Sequence, residues 1–375
     1  MIRAAGGALR RAGAAATAGS QQTQRRALTS TGAAEAAPQT VTLMDILDKS
    51  KPVVSVDKGM SVRDAVGAMA SNKASTIFVQ DDGFVCGVIR ETDIVTHAGE
   101  TQGDLSTRVS DIMRPEISFA SVSNTIRESL QLLNASKQDH LPILQRRDAN
   151  ASDDDVKVAD VRMLDVTSII SAKQIIGQFY FDAVGPHAEL DEKQRLNLEQ
   201  EAQTLYKLPS VKSIIKAKKE RSEAKGELGT MVLNTLVEDE ISVAETIRQM
   251  IKYNKGSVAV MDICRDVPVL VGLATEQDIV RRVLAEGRDA EETLVADIMT
   301  RSNLATVSSK ETLLACAYKM IQMNVRHLPV VSPKGEHVLA MVSSGDVVAY
   351  LCESFNAENT AAPTSSSSSS STPSS

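Results

Sequence analysis

The chain is 375 residues long, 42% apolar and 24% charged, which suits a folded protein of two or three domains. With 3% aromatics, no Trp and a net charge of −7, it lacks the stacking surface and the positive field of a nucleic-acid binder. No apolar run approaches the roughly 18 residues of a membrane span, and the four scattered cysteines form no C-x-x-C pair that would point to a disulfide scaffold or structural zinc.

Residues 1–34 carry Arg3, Arg10, Arg11, Arg25 and Arg26 and no acid, among Ala, Ser, Thr and Gly. This composition predicts a disordered organelle transit peptide over residues 1–40. Arg25-Arg26-Ala27-Leu28-Thr29-Ser30 resembles a mitochondrial processing site, so the expected location is the mitochondrion, with a plastid or the cytoplasm as alternatives.

The body repeats itself. Asp111-Ile112-Met113 recurs as Asp297-Ile298-Met299, and His140-Leu141-Pro142-Ile143 as His327-Leu328-Pro329-Val330. Gly87-Val88-Ile89 with Asp93-Ile94-Val95 recurs as Gly272-Leu273-Ala274 with Asp278-Ile279-Val280, at nearly the same offset. Residues 41–173 and 228–355 are therefore two copies of one large unit. Each copy is itself double. Val258–Met261 with Val269–Gly272, and Leu328–Val331 with Val338–Val342, read as pairs of short strands. A helix precedes each pair, with Ala244, Ile247, Met250 and Ile251, or Leu313, Ala317, Met320 and Ile321, at helical spacing. Another follows, opened by Thr275-Glu-Gln-Asp278 or Ser343-Ser-Gly-Asp346, a broad form of the capping box. The prediction is an α/β chain of four β-α-β-β-α units, at about 43–98, 109–172, 229–284 and 295–353.

Residues 174–227 read as a charged helical linker. Phe179, Tyr180 and Phe181 are expected in a core, and Val211, Ile214 and Ile215 form a face that docks on a unit. Residues 356–375 are a Ser-rich tail with no apolar periodicity, expected to be disordered.

The order D-I-M, helix, H-L-P-V, then G-x-x-T-x-x-D-I resembles the cystathionine-β-synthase (CBS) domain. The resemblance implies four CBS repeats paired into two Bateman modules. It implies a regulatory protein, not an enzyme, whose ligand contains adenosine (AMP, ADP or ATP) and whose regulated partner is another protein; a homodimer is compatible with it. Four repeats in one chain resemble the γ subunits of AMP-activated protein kinase. The alternatives are a scaffold without a ligand, or a thioredoxin regulator like the single-pair CBS proteins of plant organelles. No P-loop, dinucleotide fingerprint or metal-ligand spacing is present, and no metal is expected.

In this family the Asp of T-x-x-D takes the ribose hydroxyls. The third repeat carries Thr275 and Asp278, and the fourth Ser343 and Asp346, preceded by Arg326 and His327 as the expected phosphate contacts. Lys255-Gly256-Ser257 offers the third repeat a cation and an approachable backbone. The first repeat keeps Asp93 but has Arg90 in place of the hydroxyl. The second is aligned with Asp165 at the hydroxyl position and Ser168 at the acid position, which leaves no clamp. The C-terminal pair is therefore expected to bind, and each Asp has helix capping as its simpler role. Cys264 and Cys316 are expected to be small buried apolar groups.

Overall fold

The computed structural model describes residues 41–47, 53–145, 157–184, 192–205, 209–224, 236–263, 268–332 and 337–360. The expected transit peptide, residues 361–375 and Cys264 lie outside this set.

Each unit folds as strand, helix, strand, strand, helix. The first comprises β1 (Ser55–Asp57), α1 (Val62–Asn72), β2 (Thr76–Asp81), β3 (Phe84–Arg90) and α2 (Glu91–Glu100). The second comprises β4 (Ala120–Ser121), α3 (Ile126–Ser136), β5 (His140–Leu144), β6 (Val166–Ser171) and α4 (Ala172–Val184). Helices α5 (Glu192–Leu205) and α6 (Val211–Ala224) follow. The third unit has β7 (Leu236–Glu238), α7 (Val243–Tyr253), β8 (Ser257–Asp262), β9 (Val269–Thr275) and α8 (Glu276–Ile279), which runs on into a wider π turn, Val280–Leu284. The fourth has β10 (Val307–Ser308), α9 (Leu313–Gln322), β11 (His327–Val331), β12 (Val338–Ser343) and α10 (Ser344–Thr360).

Local chemistry sets these boundaries. Ser61, Thr125, Ser242 and Thr312 cap the first helix of each unit by accepting a backbone N–H three residues on. Lys73, Lys137 and Asn254 end three of those helices in the left-handed region. Each sheet has one parallel and one antiparallel pair, with the register shifting at the equivalent position in all four antiparallel pairs. Pro142 sits in a central strand, yet the parallel neighbour of β5 begins only at Ile143, so the proline falls where β5 has a single partner.

The recurring Gly and D-I-M landmarks pack on one another. A Cβ on Gly87 would lie 2.7 Å from the Arg114 carbonyl oxygen, and one on Gly272 would lie 2.1 Å from the Met299 sulfur. Antiparallel bridges Val88–Arg114 and Leu273–Thr300 hold these pieces together.

Among the described residues, apolar clusters assemble the four units. Phe78, Val85 and Val88 of the first sheet pack with Leu144, Val161 and Val166 of the second unit. Ala259, Met261 and Leu273 of the third pack with Val338 and Met341 of the fourth. These sheet faces make the two pairs. A larger cluster then joins the first and third units through their helices, with Val66, Met69 and Ile94 against Ile247, Met250 and Val283. Helices α3 and α4 pack likewise on α9 and α10, joining the second and fourth units. Each unit thus meets one neighbour through its sheet and another through its helices.

Helix α4 closes the second unit, so residues 174–184, counted with the linker in the sequence reading, belong to that unit. Tyr180 is fully buried in it, donates to Glu199 Oε1 at 2.7 Å and stacks near Tyr318. Arg195 pairs with Glu199 at 2.6 Å and lies 4.2 Å over the Tyr318 ring, which fixes α5. Val211 and Ile214 are fully buried, so α6 docks by the face expected of it. Residues 356–360, placed in the tail, continue α10.

Candidate functional site

The strand register defines which residues are equivalent. Thr76 faces Arg90, His140 faces Ser171, Ser257 faces Thr275 and His327 faces Ser343. The hydroxyl position of the second unit is therefore Ser171 and its acid position Gln174, six residues beyond the Asp165 and Ser168 of the sequence alignment. The long excursion between β5 and β6, absent from the other units, displaced the alignment. Asp165 sits in a 3-10 turn before β6. The second unit lacks the carboxylate all the same, because Gln174 takes the capping role, accepting from Ser171 N at 3.0 Å and Ser171 Oγ at 2.9 Å.

In the other three units the Asp both caps the closing helix and lies mostly buried. Asp278 Oδ2 accepts from Thr275 N at 3.0 Å and Thr275 Oγ1 at 2.7 Å, while Oδ1 faces Arg282 at 3.5 Å. Burial raises the Asp278 carboxyl above its ordinary range, against the pull of Thr275 and Arg282. Asp346 Oδ2 accepts from Ser343 N and Ser343 Oγ, both at 2.8 Å, and from Lys218 Nζ at 2.7 Å. Burial pushes Asp346 up too, but Lys218 and the Ser343 donors outweigh it and leave the carboxyl lowered. Asp93 is committed at both oxygens. Arg90 N and Nε reach Oδ2 at 3.0 and 3.2 Å, and Arg114 Nε reaches Oδ1 at 2.7 Å. Thr275 with Asp278, and Ser343 with Asp346, thus form hydroxyl-carboxylate pairs. Asp93 instead sits in an arginine clamp.

Arg326 and His327 are elsewhere, at the point where the four units meet. Backbone bonds from Glu91 to Ser75, Ala172 to Asp139, Glu276 to Gly256 and Ser344 to Arg326 repeat one junction four times. Arg326 Nη2 pairs with Glu91 Oε2 at 2.8 Å, and Nη1 lies 3.9 Å from Asp139. Glu91 is 2% exposed and also accepts from Gln277 Nε2 at 3.3 Å. Thr92 Oγ1 donates to Glu276 Oε2 at 2.8 Å. At the position expected to contact phosphate, the Arg326 guanidinium is engaged by carboxylates that other units supply. Gly256 also has a packing role, since a Cβ there would come within 3.2 Å of the Glu276 carboxylate. His327 and His140 are held neutral, each pushed down to about 4 by burial first and by Arg326 next.

Glu276 is pushed up to about 7, chiefly by burial, with Glu91 and Asp139 adding to the push while Thr92 and Arg326 oppose it. Between about pH 4.5 and 7 the folded chain keeps a proton that the unfolded chain has lost. The stability this group contributes is whole below pH 4.5 and lost as the pH rises to 7, by about 3 kcal/mol. His140 and His327 act in the opposite sense: their contribution is present above pH 6.5 and lost as the pH falls to 4. Glu276→Gln should therefore gain on the wild type in thermal stability as the pH is raised from about 5 to 7.5. Parallel pH profiles of the two proteins would show that Glu276 does not titrate there.

Sequence reasoning missed Glu91, Glu276, Arg282 and Lys218. Glu91 and Glu276 occupy the same position in two repeats, and that coincidence was a usable signal. Lys218 comes from α6, outside any repeat, and nothing in the chain marks it.

The CBS domain family model matches residues 42–100 and 295–353. The chain is 35% identical over 108 residues to the mitochondrial CBS domain-containing protein CBSX3 of Arabidopsis thaliana, covering 28% of this chain and 51% of that protein. It is 23% identical over 301 residues to CBSCBSPB1 of the same plant, covering 77% of this chain and 50% of that protein. The chain thus spans about half the length of these relatives. A solved structure from Methanocaldococcus jannaschii, described as a candidate archaeal homologue of g-AMPK, matches with a TM-score of 0.56 at 16% identity. It covers 83% of this chain and 100% of that one, and is a likeness of fold. The repeated motifs, the four equivalent sheets and the family matches agree: the chain carries CBS domains, matched at residues 42–100 and 295–353.

Proposed function

We propose that this is a non-catalytic regulatory protein that binds an adenine nucleotide and signals its presence to a partner protein. The observation that carries the reading is the pair of mostly buried carboxylates, Asp278 and Asp346, each beside a hydroxyl at the start of a helix. A carboxylate so placed can accept hydrogen bonds from both hydroxyls of a ribose. Asp278 with Thr275 is the primary site, because only Arg282 at 3.5 Å attends its outer oxygen among the described residues. Arg282 is also the cation nearest to receive a phosphate. Asp93 is a weaker candidate, its carboxylate being held by Arg90 and Arg114. Arg326 and His327 serve the junction between units. Mitochondrial residence is supported by the acid-free, Arg-rich leader and by the name of one relative.

The redox alternative is disfavoured by the three described thiols. Burial raises Cys86, Cys316 and Cys352, with Cys316 pushed up to about 12, whereas reactive thiolates need a lowered value. The ligand-free scaffold has one observation in its favour, the centre filled by the chain's own carboxylates around Arg326. A thermal-shift series on the full chain with adenosine, AMP, ADP, ATP and S-adenosylmethionine separates these readings. The nucleotide reading expects at least one of them to raise the midpoint, since a ligand of the native state stabilises it. No shift with any of the five at millimolar concentration would leave the scaffold.

A further inference from the structure

We propose that Lys218 is a built-in competitor for ribose at the fourth unit, so that occupying Asp346 releases α6. This rests on the nucleotide reading above and concerns how one of its two sites is regulated.

The geometry is specific. Lys218 Nζ donates to Asp346 Oδ2 at 2.7 Å and to the Met341 carbonyl oxygen at 3.0 Å. Asp346 Oδ2 already receives two donors from Ser343, so the lysine is its third. A ribose diol bound across the carboxylate needs both oxygens. The cation must then give up Oδ2. Lysine suits this role, being a single point charge on a flexible stem, unlike the forked guanidinium at Asp93.

The origin of Lys218 gives its displacement a consequence. At Asp278 the attendant cation, Arg282, lies one turn along the same helix, and Asp93 is met by Arg90 of its own unit and Arg114 at the start of the next repeat. Among the described residues, Asp346 alone of the three is met by a helix from outside the repeats. That helix is anchored at its start, where Val211 N and Lys212 N donate to Glu311 and Ser309 carbonyls and Val211 and Ile214 are buried. Its further half is held to the fourth unit by Lys218 and by the partly exposed Arg221–Glu353 pair at 2.5 Å. Exposed pairs contribute little. Lys218 is therefore the main polar tie of that half among the described residues, and a ligand that displaces it frees that half of α6.

The test uses the full chain carrying Asp278→Ala, which silences the primary site, with and without Lys218→Met. Methionine keeps the apolar stem and removes the charge. Lys218→Gln serves as a second variant should the first fold poorly. Calorimetric titration with adenosine should show binding about ten- to hundredfold tighter once the lysine is gone, the range for removing one charge-assisted hydrogen bond from the competition. Adding Asp346→Asn should abolish the gain. With AMP on the Asp278→Ala chain, amides of residues 211–224 should exchange faster at saturation. Unchanged or weaker adenosine binding without Lys218, while the unmodified chain binds through Asp278, overturns the competitor alone. Weaker binding of AMP only would make Lys218 a phosphate contact instead. If neither the unmodified chain nor the Lys218 variants bind adenosine or AMP, the nucleotide reading falls and takes the competitor with it.

Discussion

Arg326→Ala should cost about 3–5 kcal/mol of stability, the range for removing one partner of a buried ion pair. Glu91 is 2% exposed, and after the substitution it would keep, among the described residues, Gln277 at 3.3 Å and Arg281 at 4.0 Å. Asp139 would lose its cation at the same time. The charge left behind sits where all four units touch, so the whole assembly should weaken together. Denaturant unfolding of the full chain measures this, with Glu91→Met, Arg326→Met and their combination completing the cycle. The double substitution should be less harmful than either single one, because a buried pair replaced by apolar groups leaves no orphaned charge. A loss below about 1 kcal/mol for Arg326→Ala would mean that the pair behaves as an exposed one.

Asp278→Ala should weaken adenosine-ligand binding by one to three powers of ten. Each hydrogen bond from a ribose hydroxyl to a carboxylate is worth about 1.5–3 kcal/mol, and each 1.4 kcal/mol is about tenfold. The fold should survive, since losing the capping role costs about 1 kcal/mol. Asp93→Ala should matter far less, as Arg90 and Arg114 already claim that carboxylate. Gln174→Ala should leave affinity unchanged and is the right control for the second unit. Titration calorimetry on the four proteins reads all of this. Equal losses for Gln174→Ala and Asp278→Ala would show that the ligand is not held by the carboxylates.

The repeated architecture could be read from the chain because its landmarks contact one another. Gly87 and Met113, or Gly272 and Met299, recur together since the glycine makes room for the methionine. The capping Ser and Thr residues were equally readable, being local. The second unit was misaligned because β5 and β6 stand further apart in sequence than the corresponding strands elsewhere, which shifts Ser171 and Gln174 along the chain. The centre could not be read at all. Whether Arg326 meets a phosphate or Glu91 depends on a residue 235 positions away in another unit. Sequence spacing carries no record of that approach. Lys218 was hidden for the same reason, being one charge of a charged helical linker until α6 is seen against β12 and α10.

The fourfold junction has a further consequence, which concerns symmetry. Were the same ring built by two identical pairs, each side chain at the centre would appear twice, and any cation would face its own copy. Writing all four units into one chain lifts that restriction. Ser75, Asp139, Gly256 and Arg326 stand at one equivalent position with four different side chains, and Glu91, Ala172, Glu276 and Ser344 stand at the next. A single guanidinium can then sit among carboxylates that have no duplicate. The same freedom distinguishes the four Asp positions, so that one is clamped, one lost, one open and one guarded. Fusion into one chain lets the units differ in the groups they present at one position, which an exchangeable pair of identical subunits could not fix in place.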